Sequence, residues 1–237
     1  MLVDKLAVKS HISRLLGEDF VCKVIAEWDH VDDITLDQLP DQFVLKTTHS
    51  GGNNGVVICA DKSTFDLEAA RSKLAEEMQR DIYSRYREWP YKNVPRKIFA
   101  EEYLGDNLVD YKLYCSNGHA ECMLMCVDRQ KGHVKYYFLD RNWQLLPYNL
   151  DSKNAPAGFA PPQPDGVGRM FDLASKLSEG FPFVRIDFFE AQGRLYFAEY
   201  TFYPASGLDE KKTEEFEKLM GDKIDLTCCS KQENVQK

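Results

Sequence analysis

The stretch VRIDFFEAQGRLYFAEYT, residues 184 to 201, places Arg185, Asp187 and Glu199 inside two otherwise apolar segments. A strand buries alternate residues, and a charge is costly to bury unless it is paired or bound to a metal. The run divides at AQGR, a glycine-containing turn signal between two β-prone segments, so it reads as a hairpin. On the first strand Phe183, Arg185, Asp187 and Phe189 share a face; on the second Leu195, Phe197, Glu199 and Thr201 share one. A three-residue loop at Gln192-Gly193-Arg194 sets Asp187 opposite Glu199 and Arg185 opposite Thr201, whereas a two-residue loop breaks that register. Two carboxylates ~5 Å apart at an effective dielectric of ~20 repel by roughly 3 kcal/mol. Something positive has to offset this, either Arg185 alone or a divalent cation.

Working outward, 237 residues suffice for one large domain or two small ones with a real core. The net charge of −8 argues against a broad nucleic-acid surface. Seven cysteines form no CxxC pair; Cys115, Cys122 and Cys126 fall in a strand-like region and Cys228-Cys229 in a polar tail, so reduced thiols of a cytoplasmic protein are expected. No apolar run reaches the ~18–20 residues of a membrane span, and MLVDKLAVKSHI is amphipathic rather than signal-like.

Along the chain, DKLAVKSHISRLLG reads as a helix capped by Asp4 and ended by Gly17. FVLKTT and VVICA form a hairpin around a Gly/Asn loop. TFDLEAARSKLAEEMQRDIYSRYREW carries one helical period (Leu67, Leu74, Met78, Ile82) up to Pro90. KIFAEEYL and LVDYKLYC read as strands, and HAECMLMCVDR with HVKYYFLD as a hairpin around QKG. Residues 147 to 168 hold five of the ten prolines and read as an irregular crossover. VGRMFDLASKLSEG and residues 209 to 220 complete the helices. Hairpins interspersed with helices predict an α+β architecture with antiparallel sheets.

Several residues carry charge where chemistry needs it. Lys46 closes a strand before HSGGNNG, where Gly51, Gly52 and Gly55 allow backbone N–H groups near an anion. The order is not that of a Walker A loop, whose glycines precede the lysine and a helix; an ordinary hairpin turn is the competing reading. Glu101, Glu102, Asp110 and Lys112 fit a solvated strand edge, and Lys5 and Lys9 fit surface lysines on one helix face. His49 reads as a loop histidine, and Asp128-Arg129 and Asp140-Arg141 as local ion pairs.

In this order the motifs resemble the ATP-grasp superfamily, in which two α+β lobes hold ATP. RIDFFEAQGRLYFAEYTFYPASG is similar to the metal hairpin of D-alanine–D-alanine ligases. A closer resemblance is to the TupA-like ATP-grasp family of surface-polysaccharide biosynthesis. It rests on DKLAVKSHI, LPDQFVLKTTHSGG, FAEEYL, VDYKLYC, LDRNW, ASKLSEGFPFVRIDFF and YFAEYTFYPASG, and spans residue 4 to about 220. The resemblance implies that Lys5 and Lys46 meet ATP phosphates under Ser50, Gly51 and Gly52, and that Lys112 leans on phosphate. Glu101 and the Tyr103–Leu104 backbone would contact adenine, and Asp110 the ribose. Asp187 and Glu199 would ligate magnesium, and Arg185 would steady the transferred phosphoryl group. Thr201 stands where many ATP-grasp enzymes carry an asparagine ligand, which leaves water or only two protein ligands to complete the shell.

By the same resemblance, residues 1–40 are an N-terminal helix and linker, 41–100 a small lobe with the glycine loop, 101–222 a larger lobe with the metal hairpin, and 223–237 a tail. Family members carry a segment before the Asp4-Lys5 helix, so a partner chain or homo-oligomer is expected where that segment completes an acceptor pocket. The implied activity is ATP-dependent ligation of a small-molecule or glycan carboxylate, such as a uronic acid, to an amine through an acyl phosphate. The alternatives are a kinase acting on an alcohol, a glycosyltransferase, or a non-catalytic ATP-binding module.

Overall fold

A computed structural model describes residues 2–52, 54–106, 108–127 and 134–227. The chain divides into two compact units, Met1–Asp106 and Asn107–Lys237. The QKG turn, the Asp128-Arg129 pair and Cys228-Cys229 lie outside the described residues.

The first unit is a four-stranded antiparallel sheet, order β1-β4-β2-β3, built from β1 (Val24–Trp28), β2 (Phe43–Thr47), β3 (Val56–Cys59) and β4 (Ile98–Glu102). Strand alternation sends Phe43, Leu45, Ile98 and Ala100 into a core with Ala70 and Leu74 of α2 (Leu67–Gln79). β1 lies in the segment that reads as linker. β4 reaches Glu102 as part of this sheet, and the compact units part after Asp106 rather than at 100/101.

One helical expectation of this unit holds and one changes. α1 (Ala7–Leu16) starts where Asp4 Oδ1 accepts the Leu6 and Ala7 N–H groups, both at 2.9 Å, and Gly17 ends it at φ 106°. The single helix expected up to Pro90 is two: α2 stops at Gln79, and α3 (Ile82–Tyr86) restarts because Asp81 caps it, accepting the Ser84 N–H at 3.0 Å. Arg80 between them is extended, with ψ 139°.

The second unit is a six-stranded antiparallel sheet, order β10-β9-β5-β6-β7-β8. Its strands are β5 (Val109–Ser116), β6 (His119–Val127), β7 (Lys135–Leu139), β8 (Leu145–Leu146), β9 (Phe183–Ala191) and β10 (Arg194–Thr201). On one face Tyr114, Cys122, Leu124 and Phe138 pack on Phe216 and Met220 of α6 (Glu214–Lys223). α5 (Val167–Leu177) packs against β5, β6 and β9. The proline-rich crossover contains one short helix, α4 (Leu150–Lys153). α6 begins later than residue 209 because Thr213 caps it, its Oγ1 accepting the Phe216 N–H at 3.3 Å.

The β9–β10 hairpin pairs Asp187 with Glu199 and Arg185 with Thr201, as expected, but by another route. The loop has two residues, Gln192 and Gly193, with φ 52° and 73°, the left-handed pair that a type I′ turn requires. That turn alone pairs Asp187 with Ala198. A β-bulge between Phe197 and Glu199 shifts the register by one residue and restores the Asp187–Glu199 pair. The bulge also separates two residues that alternation places together: Phe197 pairs with Phe188, while Glu199 joins the Asp187 face. A large apolar ring and a carboxylate thus reach opposite sides of one strand.

Among the described residues no helix is long and apolar enough to cross a membrane. Cys22, Cys59, Cys115, Cys122 and Cys126 are free and buried. Burial pushes the Cys22 and Cys115 thiols up to about 12, so both stay protonated at neutral pH.

Candidate active site

Two clusters of charged side chains form, one in each unit. In the first, alternation along β2 and β4 puts Lys46 and Glu101 on the face opposite the α2 core. Glu101 is buried, and its carboxylate is held by Lys46 and by Lys9 of α1, the latter at 2.8 Å. Lys9 also donates to the Cys22 carbonyl at 2.9 Å. Burial alone would raise the Glu101 pKa, but the two ammonium groups override it and hold the carboxyl below its usual range. Glu101 is therefore part of a buried ion triad rather than a solvated edge, and Lys9 is not a surface lysine. The i, i+4 spacing of Lys5 and Lys9 was the signal in the sequence that both belong here.

Lys5 donates to the Ser50 carbonyl and so ties α1 to the glycine loop. The Ser50 side chain is buried, accepting from Thr47 Oγ1 at 2.6 Å. Gly51 and Gly52 follow it at the loop surface, Gly52 at φ 62°. Gly55 closes the loop for a packing reason, because a Cβ there would overlap the Thr47 and Ser50 hydroxyl oxygens. His49 is buried rather than a free loop histidine, with Nε2 at 3.1 Å from the Glu77 carbonyl. Tyr103 follows β4 and donates its hydroxyl to Asp106, with Leu104 beside it.

In the second unit Lys112 of β5 pairs across the ladder with Asp187 of β9. Lys112 Nζ lies 2.7 Å from Asp187 Oδ2. Arg185 binds the same carboxylate twice, Nε to Oδ1 and Nη2 to Oδ2, both at 2.7 Å. Arg185 Nη2 also donates to Thr201 Oγ1 at 3.0 Å and approaches Glu199 Oε1 at 3.4 Å. Thr201 donates to the same Glu199 oxygen at 3.2 Å. Burial would raise the Asp187 pKa, but Arg185 and Lys112 together pull it below the usual carboxylate range. Burial likewise opposes charge on Lys112, and the Asp187 carboxylate overrides it to raise the lysine pKa. Lys112 is thus a buried partner of the hairpin, not an edge residue. Asp110 sits two positions before it on β5, opposite Phe189, and its charge adds to the raising of the Lys112 pKa.

Arg141 pairs with Asp172 at 2.7 Å instead of with Asp140, whose Oδ1 accepts the Asn142 and Gln144 N–H groups.

Two antiparallel sheets with a lysine-anchored glycine loop on one and an Arg-x-Asp…Glu hairpin on the other define a protein of the ATP-grasp class. The chain belongs to the TupA-like ATP-grasp family, whose model matches residues 1–225. No curated protein matches the chain. Among solved structures it is similar to D-alanine–D-alanine ligase from Helicobacter pylori, at 14% identity and TM-score 0.54, over 94% of this chain and 60% of that one. It is also similar to the Bacillus anthracis D-alanine–D-alanine ligase, at 17% identity and TM-score 0.54, over 98% and 68% of the two chains. The chain thus spans about 60 to 68% of the length of these ligases.

The family implies ATP and magnesium, and the donor sets can be tested for each. Lys9 and Lys46 share the single Glu101 carboxylate, and Lys5 reaches the Ser50 carbonyl beside the glycine loop, which leaves net positive charge of the kind a polyphosphate would need. Magnesium usually takes one or two carboxylates and keeps several waters. Glu199, whose side chain is 27% exposed, suits that role. Asp187, at 3%, has both oxygens engaged by Arg185 and Lys112, so it becomes a ligand only by exchanging one of these cations. Among the described residues no group of three or more His, Cys, Asp or Glu forms a metal shell, and Thr201 is committed to Arg185 and Glu199.

Proposed function

We propose that the chain is an ATP-dependent carboxylate–amine ligase. The γ-phosphoryl group of ATP passes to a substrate carboxylate, giving an acyl phosphate and ADP. An amine then attacks the acyl carbon, the C–N bond forms, phosphate leaves, and the amine loses a proton to solvent. Activation is needed because a carboxylate repels nucleophiles and has only oxide to expel. The acid proposed is a uronic acid of a surface glycan, and the amine an amino acid or amino alcohol.

The observation that carries this reading is the pair of buried cations, Lys112 and Arg185, meeting on Asp187 beside Glu199 at adjacent ladder positions. Such a preorganised group stabilises charge developing on a transferring phosphoryl, usually the largest part of catalysis in this chemistry. Arg185 orients and neutralises the phosphoryl oxygens, and Lys112 holds Asp187 in place. In the first unit Lys5 and Lys46 bind phosphate oxygens, the Gly51–Gly52 backbone approaches them, and Glu101 keeps Lys46 in position. The backbone at Tyr103 and Leu104 meets adenine, and Asp110 the ribose. Glu199 would hold magnesium, with Asp187 joining it on exchanging one of its cations, and the metal would neutralise phosphate charge when bound.

The test is calorimetric titration of ATP with magnesium into the wild type, Lys46→Ala and Glu199→Gln, followed by ADP release with uronic acids and amines. Magnesium-dependent binding weakened at least tenfold by each substitution, with ADP release requiring both substrates, is the expected result. A folded chain that binds no ATP, or ATP consumption that leaves a phosphorylated alcohol and no amide, refutes the reading.

A further inference from the structure

Lys9 stands one helical turn after Lys5, and its ammonium meets the sheet at the same carboxylate as Lys46 does. The side chains of Lys9, Lys46 and Glu101 are 14%, 25% and 5% exposed. The two oxygens of Glu101 are divided between the lysines: Oε2 lies 2.8 Å from Lys9 Nζ, and Oε1 pairs with Lys46. Two ammonium groups on one ionised carboxylate leave the triad with one excess positive charge.

A Glu101–Lys46 pair would already be electrically complete. A second ammonium costs desolvation that nothing within the triad offsets. The two lysines are also held differently. Lys9 has a second acceptor, the Cys22 carbonyl at 2.9 Å, and its Nζ lies 5.9 Å from the centroid of the buried Phe99 ring. Lys46, near the end of β2 and just before the glycine loop, is the more exposed of the two. An anion arriving at that loop therefore draws on Lys46 rather than on Lys9. When Lys46 leaves Glu101 for a phosphate oxygen, Lys9 keeps the buried carboxylate balanced. Without Lys9 the same movement strands an unpaired buried carboxylate, the costly arrangement, and Lys46 stays locked to Glu101.

We propose that Lys9 is a positioning residue for phosphate binding, holding the charge of Glu101 so that Lys46 transfers from the carboxylate to a phosphate oxygen. The inference deepens the ligase reading and rests on it for the polyphosphate, and it concerns side chains of the first unit alone. Lys9 itself touches no ligand; it acts through Glu101 and Lys46.

The test is calorimetric titration of the full chain with magnesium-ATP and with inorganic tripolyphosphate, with urea melts on the same samples. Lys9→Met should weaken both ligands at least tenfold. Adding Glu101→Gln to Lys9→Met should restore both affinities to within threefold of the wild type, because the neutral amide no longer holds Lys46; a merely structural lysine predicts no such recovery. In a Lys46→Met background, Lys9→Met should cost less than threefold. Lys62→Met removes a lysine of the same unit tied to the Leu39 carbonyl at 2.7 Å, and should leave both affinities unchanged. Where Lys9→Met fails to fold, Lys9→Gln keeps a donor for the Cys22 carbonyl and drops the charge, and the same pattern is expected of it. Without any ligand, the Glu101 carboxyl carbon resonance should titrate at higher pH in Lys9→Met than in the wild type, since one of the two cations holding it low is gone. Wild-type binding that Lys9→Met leaves unchanged, a double variant no better than Lys9→Met, or equal losses with and without Lys46 overturns the inference and leaves the ligase reading standing. The expected binding pattern with no amide formed from any acid and amine supports the inference and removes the ligase reading. A folded wild type that binds neither ligand overturns both.

Discussion

Asp187→Asn removes one negative charge from a place where two positive ones are buried. Arg185 and Lys112 have side chains only 12% and 16% exposed, and both lie 2.7 Å from the Asp187 carboxylate. Removing one partner of a buried pair typically costs about 3–5 kcal/mol, because the remaining charge is stranded. Arg185 retains Thr201 at 3.0 Å and Glu199 at 3.4 Å, which argues for the lower end, about 3 kcal/mol. That is roughly a 150-fold change in the folding equilibrium. With a urea m-value of about 2 kcal/mol/M, the unfolding midpoint of the second unit falls by about 1.5 M. A double-mutant cycle isolates the pairwise part. Lys112→Met in the Asp187→Asn background should cost far less than Lys112→Met in the wild type, since the stranded ammonium is gone. Midpoints followed by fluorescence and circular dichroism at pH 7 supply all four corners. A loss under 1 kcal/mol for Asp187→Asn, or a coupling under about 0.5 kcal/mol, would show that the cluster is solvated and the reasoning wrong.

Gly55→Ala should cost about 1–3 kcal/mol by overpacking, since the new methyl meets both the Thr47 and Ser50 hydroxyls and the Ser50 Cβ at 2.7 Å. Gly51→Ala, with nothing within 4 Å, should change stability by less than about 0.5 kcal/mol; equal effects in urea melts would refute the distinction. Glu101→Gln tests acid sensitivity: a carboxyl held low in the folded state contributes stability fully above its unfolded pKa of about 4.3, lost as pH falls through the folded value. The wild type should therefore be the more stable at pH 7, and should lose that advantage between about pH 4.3 and lower pH; parallel stability–pH curves would contradict this. His49, its pKa lowered chiefly by burial, folds as the neutral ring. The unfolded state binds the extra proton below about pH 6.5, so stability should fall from pH 7 toward pH 5, and His49→Gln should flatten that slope.

What could be read beforehand depended on whether the signal was local. Alternation along β2, β4 and β9 is local, so the strands and the faces of Lys46 and Arg185 follow from residue order alone. The break at Arg80 was legible too, since Asp81 followed by Ser84 is a capping pattern, but the longer apolar period masked it. The fate of each charge was not local. Whether Glu101 faces water depends on Lys9, ninety-two positions earlier, reaching across from a helix. The same holds for Lys112, whose burial is set by β5 lying beside β9 rather than at an edge.

The hairpin shows how a correct pairing can rest on the wrong cause. A two-residue turn and no bulge would carry Glu199 opposite Ile186, onto the apolar side of the sheet. There its charge would be desolvated with no cation in reach, while Ala198 would face Asp187. The bulge at Ala198 removes that conflict by turning the strand through one extra residue, which lets Phe197 stay 5% exposed against Phe188 while Glu199 joins Arg185. Deleting Ala198 should therefore leave a regular ladder in which the two-residue turn alone keeps Phe197 opposite Phe188 and sets Glu199 opposite Asp187. Backbone chemical shifts at Gln192 and Gly193 report the turn, and magnesium-dependent nucleotide binding reports the cluster; both should survive the deletion. A deletion variant whose turn shifts change, or whose nucleotide binding is lost while it stays folded, would show that register opposite Asp187 is not what presents Glu199.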